Sequence, residues 1–504
     1  MKKIPNNSAK PSTAATVLGC AITVTIVLSF DPALAVVPFG MADPTFNSPQ
    51  FTSRAYPGYC RSDGRGGLLW SFDSYVPSDF NGANGIRLGN VVRTTTDGLV
   101  DPNFTIGPAL QNSAGTALLA DGKILVGGSL VGDVTADGIP NYRVFRFRTN
   151  GVLDTSYHSP VFGGPPRFMT VQPDGKLLAA WTDLSGTMEA NGGISGLARL
   201  NSDGSLDAGF QSPNLAGGSF GVFGPPTLDT NGMIYIVGGF TQVNGQNRQG
   251  VARLNADGTL DNNFVPTGYR FSLFVRDVLP QSGGKVVIAG RLRLSTNTTP
   301  PIVYYPLMRL NPDGSFDTSF SLVTASSINF FRARLLKATA DGKLLTVSTS
   351  TARFNSDGSL DNTFTRLPFG DAAGIPASYI ECYWFEQLAD GRIVIPSDPR
   401  FGSGPATING QPFNGSVRLL ADGTLDTNFS SPIFQGDIFP TTVARESDGR
   451  LLVGGYFDHV GPTGKTALAR LSTRSDRLHF SSTAPDEKKN TSYGVIAAPK
   501  SAIA

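Results

Sequence analysis

Residues 252–264 read ARLNADGTLDNNF, and the fold turns on this stretch. It returns as ARLNSDGSLDAGF at 198–210, MRLNPDGSFDTSF at 308–320, ARFNSDGSLDNTF at 352–364 and RLLADGTLDTNF at 418–429, with looser copies at 93–104 and 146–157. The shared skeleton is an arginine, an Asp-Gly or Asn-Gly four residues on, an aspartate eight on and an aromatic eleven on. Asp-Gly between two apolar runs signals a hairpin, because glycine supplies the positive φ that the turn needs. A second motif alternates with the first: DGKILVGG (121–128), DGKLLAAW (174–181), NGMIYIVGGF (231–240), GGKVVIAG (283–290), DGKLLTVS (341–348), DGRIVIPS (390–397) and DGRLLVGGYF (448–457). DGRGGLLW (63–70) is its loosest copy, and the motif glycine recurs every 49 to 58 residues. The apolar runs are short and end at Gly, Asn or Asp, and no segment holds a helical period long enough to compete. A period near 50 residues with about four short strands predicts an all-β propeller, one blade per period.

The ends of the repeat array predict how the ring closes. Eight arginines (Arg93, Arg146, Arg199, Arg253, Arg309, Arg353, Arg418, Arg470) face eight aspartates (Asp43, Asp101, Asp154, Asp207, Asp261, Asp317, Asp361, Asp426). Asp43 opens the array as DPTF with no arginine before it, and Arg470 ends it in ALARLS with no aspartate after it. Each end therefore holds the half-blade the other lacks, and joining them in one shared blade would hide two strand edges that invite aggregation. The expectation is a single closed propeller over 36–480 with eight blades; seven is the alternative, because the first hairpin is irregular. These paired motifs resemble the delta-60 repeat, a bacterial secreted-protein repeat of about this period assigned to β-propellers. The resemblance covers almost the whole span after residue 35 and implies fold rather than activity, since no common biochemical function comes with the repeat.

Composition agrees with a turn-rich fold. The chain has 504 residues, of which 59 are Gly and 35 are Pro, while charged residues are only 16%. An apolar content of 40% excludes a disordered chain. Lys2, Lys3 and Lys10 precede an apolar run at 13–30, and Ala33-Leu34-Ala35 offers a cleavage site, so 1–35 reads as a signal peptide and the protein as secreted, extracellular or periplasmic. An uncleaved anchor, or lipidation at Cys20, is the alternative. Without 1–35 the net charge is close to zero, which disfavours a nucleic-acid partner. Cys60 and Cys382 remain, as two buried thiols or one bridge. The tail 481–504 reads as disordered.

An arginine packed between blades needs a partner, since an unpaired buried charge is costly. The aspartate eight residues on, in the same unit or the adjacent blade, is the expected one. NxDGSLD alternates oxygen-bearing residues like a calcium loop, but it lacks the length and terminal glutamate of an EF-hand. A tight turn bonded from side chain to backbone explains the same residues, so no cofactor is expected and calcium is the alternative. The sialidase Asp box does not fit, because here Asp and Gly are adjacent.

Function should lie where units differ, in connections 129–142, 182–195, 291–306 and 396–415, with Tyr304, Tyr305, Tyr383 and Trp384 as candidate binding-surface residues. His158, His459 and His479 sit in different parts of the repeat, and neither GxSxG on a strand-to-helix elbow nor HExxH occurs. No catalytic residue is assigned. The reading is a monomeric, non-catalytic scaffold or binding module for a glycan or protein, without stable membrane insertion once 1–35 is removed. The alternative is a polysaccharide hydrolase or lyase whose two carboxylates meet across blades, drawn from Glu189, Asp371, Glu381, Glu386 and Asp398.

Overall fold

Apolar runs of four or five residues, each closed off by Gly, Asn or Asp, become the strands of this protein. Its computed structural model describes Phe46 and, with gaps in the connecting segments, residues 57–471. Residues 37–476 form one unit, and 1–36 and 477–504, which hold the expected signal peptide and the expected tail, lie outside the described residues. The one complete helical element among the described residues is a short, irregular 3-10 turn at Ser282–Gly284. None is long and apolar enough to cross a membrane.

Among the described residues, eight antiparallel meanders of three strands follow one another along the chain. Their middle strands are Gly67–Phe72, Ile124–Leu130, Leu177–Ala180, Ile234–Val237, Val286–Leu294, Leu344–Val347, Ile393–Pro396 and Leu451–Gly455. These middle strands come from the DGK motif, and the third strand of each meander carries the repeated arginine. A fourth strand is reduced to single bridges such as Leu200 to Leu206, Leu254 to Leu260 and Leu310 to Phe316.

The core lies between successive sheets. In the middle strand Leu344–Val347, Leu344 packs with Val287, Ala289 and Leu307 of the sheet before, while Leu345 and Val347 pack with Ile393, Ile395 and Val417 of the sheet after. Both faces are buried, so LLTV, IYIV and LLAA are buried throughout and, Thr346 apart, apolar rather than alternating, as expected of any strand covered on both sides.

The expected shared sheet is not found among the described residues. Among these residues the eighth meander comprises strands from 440–471, and none pairs with a strand from the N-terminal end. Asp43 lies outside the described residues. What does reach the last sheet from the N-terminal side is a ring and a strand. The Arg470 guanidinium stands 5.1 Å over the ring of Phe46, which is fully buried. The strand Pro57–Ser62 lies beside Pro440–Arg445 and Leu451–Gly455.

Candidate functional site

The turn NADGT reverses the chain so that Leu254 bridges Leu260, and this register sets Asp261 directly opposite Arg253. The Asp261 amide then donates to the Arg253 carbonyl at 3.0 Å, and Arg253 Nε donates to Asp261 Oδ2 at 2.6 Å. The same side-chain bond joins Arg146 to Asp154 (2.9 Å), Arg199 to Asp207 (2.7 Å), Arg309 to Asp317 (2.7 Å), Arg353 to Asp361 (2.6 Å) and Arg418 to Asp426 (2.8 Å). In the first unit Arg93 reaches Asp101 through Nη1 at 2.9 Å. Each carboxylate thus belongs to the arginine's own unit. Asp261 Oδ1 accepts the Asn263 amide, and equivalent Asx turns bind Gly209, Ser319, Thr363 and Asn428. The aromatic eleven residues on closes the arrangement: guanidinium carbons sit 4.6 to 4.9 Å over Tyr157, Phe210, Phe264, Phe320, Phe364 and Phe429.

The arginine also reaches its neighbour. Arg309 Nη1 donates to the Ser356 carbonyl at 2.8 Å and Arg353 Nη1 to the Ala421 carbonyl at 2.6 Å, while Arg199 does the same to Ala256 and Arg146 to Ser202. Every acceptor is the residue just before the Asp-Gly of the following unit. Backbone bonds run alongside, from Gln211 N to the Asp257 carbonyl and from Val265 N to the Asp313 carbonyl, both at 2.7 Å. The DGK lysine joins the same cluster, with Lys176 Nζ at 2.8 Å from Asp207, Lys285 at 2.8 Å from Asp317 and Lys343 at 2.9 Å from Asp361. The Lys176 hydrogen bond, with those of Gly209 and Arg199, holds the Asp207 carboxyl at about 2 despite burial. Burial would push Asp317 and Asp361 up, but their lysine, hydroxyl and arginine donors outweigh it and keep both well below the usual carboxylate range.

One acid stands outside this pattern. Asp277, on the strand Tyr269–Pro280, accepts the Val278 amide and, across to the next sheet, the Leu336 amide, each at 2.8 Å. Burial pushes its carboxyl up to about 6, against those two bonds and the charge of Lys337. Its proton is therefore held more tightly in the folded than in the unfolded chain. The stability this contributes is full below the ordinary aspartate value of 3.8 and is lost as pH rises through about 6. Asp277→Asn does not titrate, so its stability relative to the parent protein should improve from pH 4 to pH 8. Urea midpoints of both proteins at the two pH values check this, and a constant difference would remove the burial account.

The remaining candidates scatter. Tyr304 lies under Arg291, whose guanidinium carbon is 3.9 Å from the ring centre, and Tyr305 pairs with Leu292 at the start of a third strand. Tyr383 and Trp384 lie outside the described residues, as do Glu189, Asp371, Glu381, Asp398 and Cys382. Glu386 accepts Lys337 Nζ at 3.1 Å. The Asp257 Oδ1 that would serve a calcium loop accepts the Thr259 amide and hydroxyl at 3.0 and 2.6 Å, and no group of three metal-ligating side chains occurs among the described residues.

The variable connections carry a regular element that the motif reading missed. Eight residues after the aspartate an apolar residue starts a strand, of two residues where Leu215 pairs with Val243, Phe369 with Ile408 and Phe434 with Val460, and the long strand Tyr269–Pro280 where Tyr269 pairs with Leu294. Phe162 makes the equivalent bridge to Tyr142. The signal was present as an apolar residue at a constant offset from Asp.

One comparison with known proteins, a family model, bears on the fold. A family model described as a domain of unknown function (DUF5122) beta-propeller matches residues 119–157, 172–210, 230–264, 306–320, 339–364, 388–429 and 446–474. No curated protein matches the chain. Similar solved structures include YCF48 bound to D1 peptide, 8% identical with a TM-score of 0.36, covering 71% of this chain and 96% of that one. A protein from Lactobacillus plantarum is 11% identical with a TM-score of 0.34, covering 77% and 88%. A gluconolactonase from Xanthomonas campestris is 15% identical with a TM-score of 0.25, covering 72% and 95%. Likenesses at this level bear on none of fold, ligand or activity. The repeated motifs, the all-β meanders among the described residues and the family match over those seven segments together support a β-propeller repeat fold.

Proposed function

We propose that the eight meanders are the eight blades of a closed ring of delta-60 type, and that the protein is a secreted, non-catalytic scaffold whose binding face is the one carrying the two-residue strands. Phe46 under Arg470 supports closure, since it takes the place that Phe264 holds under Arg253 within a single unit. The observation that carries the functional reading is how the repeated polar groups are engaged. Arginine, aspartate, DGK lysine and aromatic bind one another and the following unit, so they build the ring. Ligand recognition then falls to the connections that differ between units, which sit on a rigid support. The ligand class is an extracellular glycan or protein, met by a monomer.

A glycan array probed with the protein lacking 1–35, followed by product analysis of every bound glycan, tests this reading. Binding without cleavage is the expected result. New reducing ends would replace it with the hydrolase or lyase reading.

A further inference from the structure

The fifth meander is unlike the others in its charge. Its first strand, Tyr269–Pro280, and its second, Val286–Leu294, extend beyond the shared length, pairing Tyr269 with Leu294, Arg270 with Arg293 and Phe271 with Leu292. Tyr269 and Leu292 are buried. Alternation therefore places Arg270, Arg291 and Arg293 together on the other face, where Arg270 is exposed and the other two are half-buried. Arg270 and Arg293 stand directly opposite each other, an arrangement that destabilises a strand pair by like-charge repulsion. Between residues 264 and 308 the chain has five basic residues and one acid, Asp277, which is committed to two backbone amides. Among the described residues no carboxylate pairs with Arg270 or Arg293. Arg293 is held in place by an Nη1 bond to the Asn297 carbonyl at 2.5 Å, and most of its five donors stay open.

We propose that Arg270, Arg291 and Arg293 form a binding site for an anionic polysaccharide, taking its carboxylate or sulfate groups in their guanidinium forks. The proposal rests on the binding-face reading above and names its ligand class. Arginine forks match planar and tetrahedral oxyanions in two-pronged bonds. Along the strand Arg291 and Arg293 are spaced about 7 Å apart, and Arg270 lies about 5 Å across, so the row suits a polymer with a charge on successive units. Tyr304, beneath Arg291, supplies aromatic surface of the kind that sugar rings pack on, whereas Tyr305, paired with Leu292, packs toward the core. A nucleic acid would call for a wide positive field, and this chain has a net charge of only +2.

The test uses the full chain and its Arg270→Gln/Arg293→Gln variant on alginate, heparin and neutral dextran, with Arg366→Gln, an exposed arginine of another unit, as control. The parent protein should bind alginate or heparin with an affinity that falls as salt rises. Alginate carries carboxylates alone and heparin carboxylates and sulfates, so binding of heparin without alginate assigns the site to sulfate. The double variant should lose about 100-fold, tenfold for each charge-assisted contact, while its melting temperature stays equal or rises because the opposed charges are gone. Arg366→Gln should bind like the parent. No binding of either polyanion by the parent, or unchanged binding by the double variant, overturns the site. Binding of dextran alone also overturns it and leaves the binding-face reading standing. Cleavage of a polymer whose binding the double variant loses keeps the site and overturns only the non-catalytic reading.

Discussion

Arg253→Ala should destabilise the protein by about 3–5 kcal/mol, a large share of the roughly 5–15 kcal/mol that holds a typical domain folded. The Arg253 and Asp261 side chains are only 12% and 8% exposed, and the guanidinium lies 4.7 Å over Phe264. Alanine leaves the Asp261 carboxylate without its partner in a place water barely reaches, and uncovers the Phe264 ring. Lys123→Ala is the internal contrast. It breaks a 2.9 Å bridge to Asp121 whose side chains are 35% and 52% exposed, so it should cost about 1 kcal/mol or less. Urea denaturation of both variants decides the matter. Equal midpoints would mean that the repeated arginines are solvated surface charges and that the units are held by apolar packing alone.

The pairing of Arg253 with Asp261 was legible in the sequence because antiparallel geometry turns a fixed offset around a tight turn into a contact. The choice between own unit and neighbour was not legible, because both of the arginine's other partners are unmarked. The carbonyls of Ala256, Ser356 and Ala421 are backbone groups, so nothing in the residue type at those positions announces them. The two-residue strands at Leu215 and Phe369 escaped for a different reason: alternation needs four or more residues to register. The opposition of Arg270 and Arg293 escaped because it depends on register across an irregularity between Phe271 and Val275, which no pattern of residue types records. Closure was inferred from the half-units at the two ends, and what the structure adds is a ring under Arg470 rather than a ladder of strands.

The glycines of the two motifs look alike in sequence, both following aspartate and both at positive φ, yet Gly258→Ala should cost far more than Gly175→Ala. Their φ values are 84° and 82°, so the backbone penalty of about 1–2 kcal/mol for a left-handed L-residue is shared. Around Gly175 a Cβ would meet nothing within 4 Å. At Gly258 it would lie 2.5 Å from the Gln211 carbonyl oxygen and 2.7 Å from the Phe210 ring, both in the unit before. Those atoms cannot drift away, because Gln211 N is bonded to the Asp257 carbonyl and Arg199 to the Ala256 carbonyl on the same turn. Overpacking of that kind adds about 1–3 kcal/mol, giving roughly 2–5 kcal/mol for Gly258→Ala against about 1–2 for Gly175→Ala. The same close approach recurs at Gly314, Gly358 and Gly423, where the nearest atoms lie at 2.6, 2.6 and 2.3 Å. Because the φ penalty cancels between the two variants, the difference in their urea midpoints isolates the contact between successive units. A difference of zero would mean that neighbouring units yield to a methyl group, which the bonds from Arg199 and Gln211 to this turn forbid.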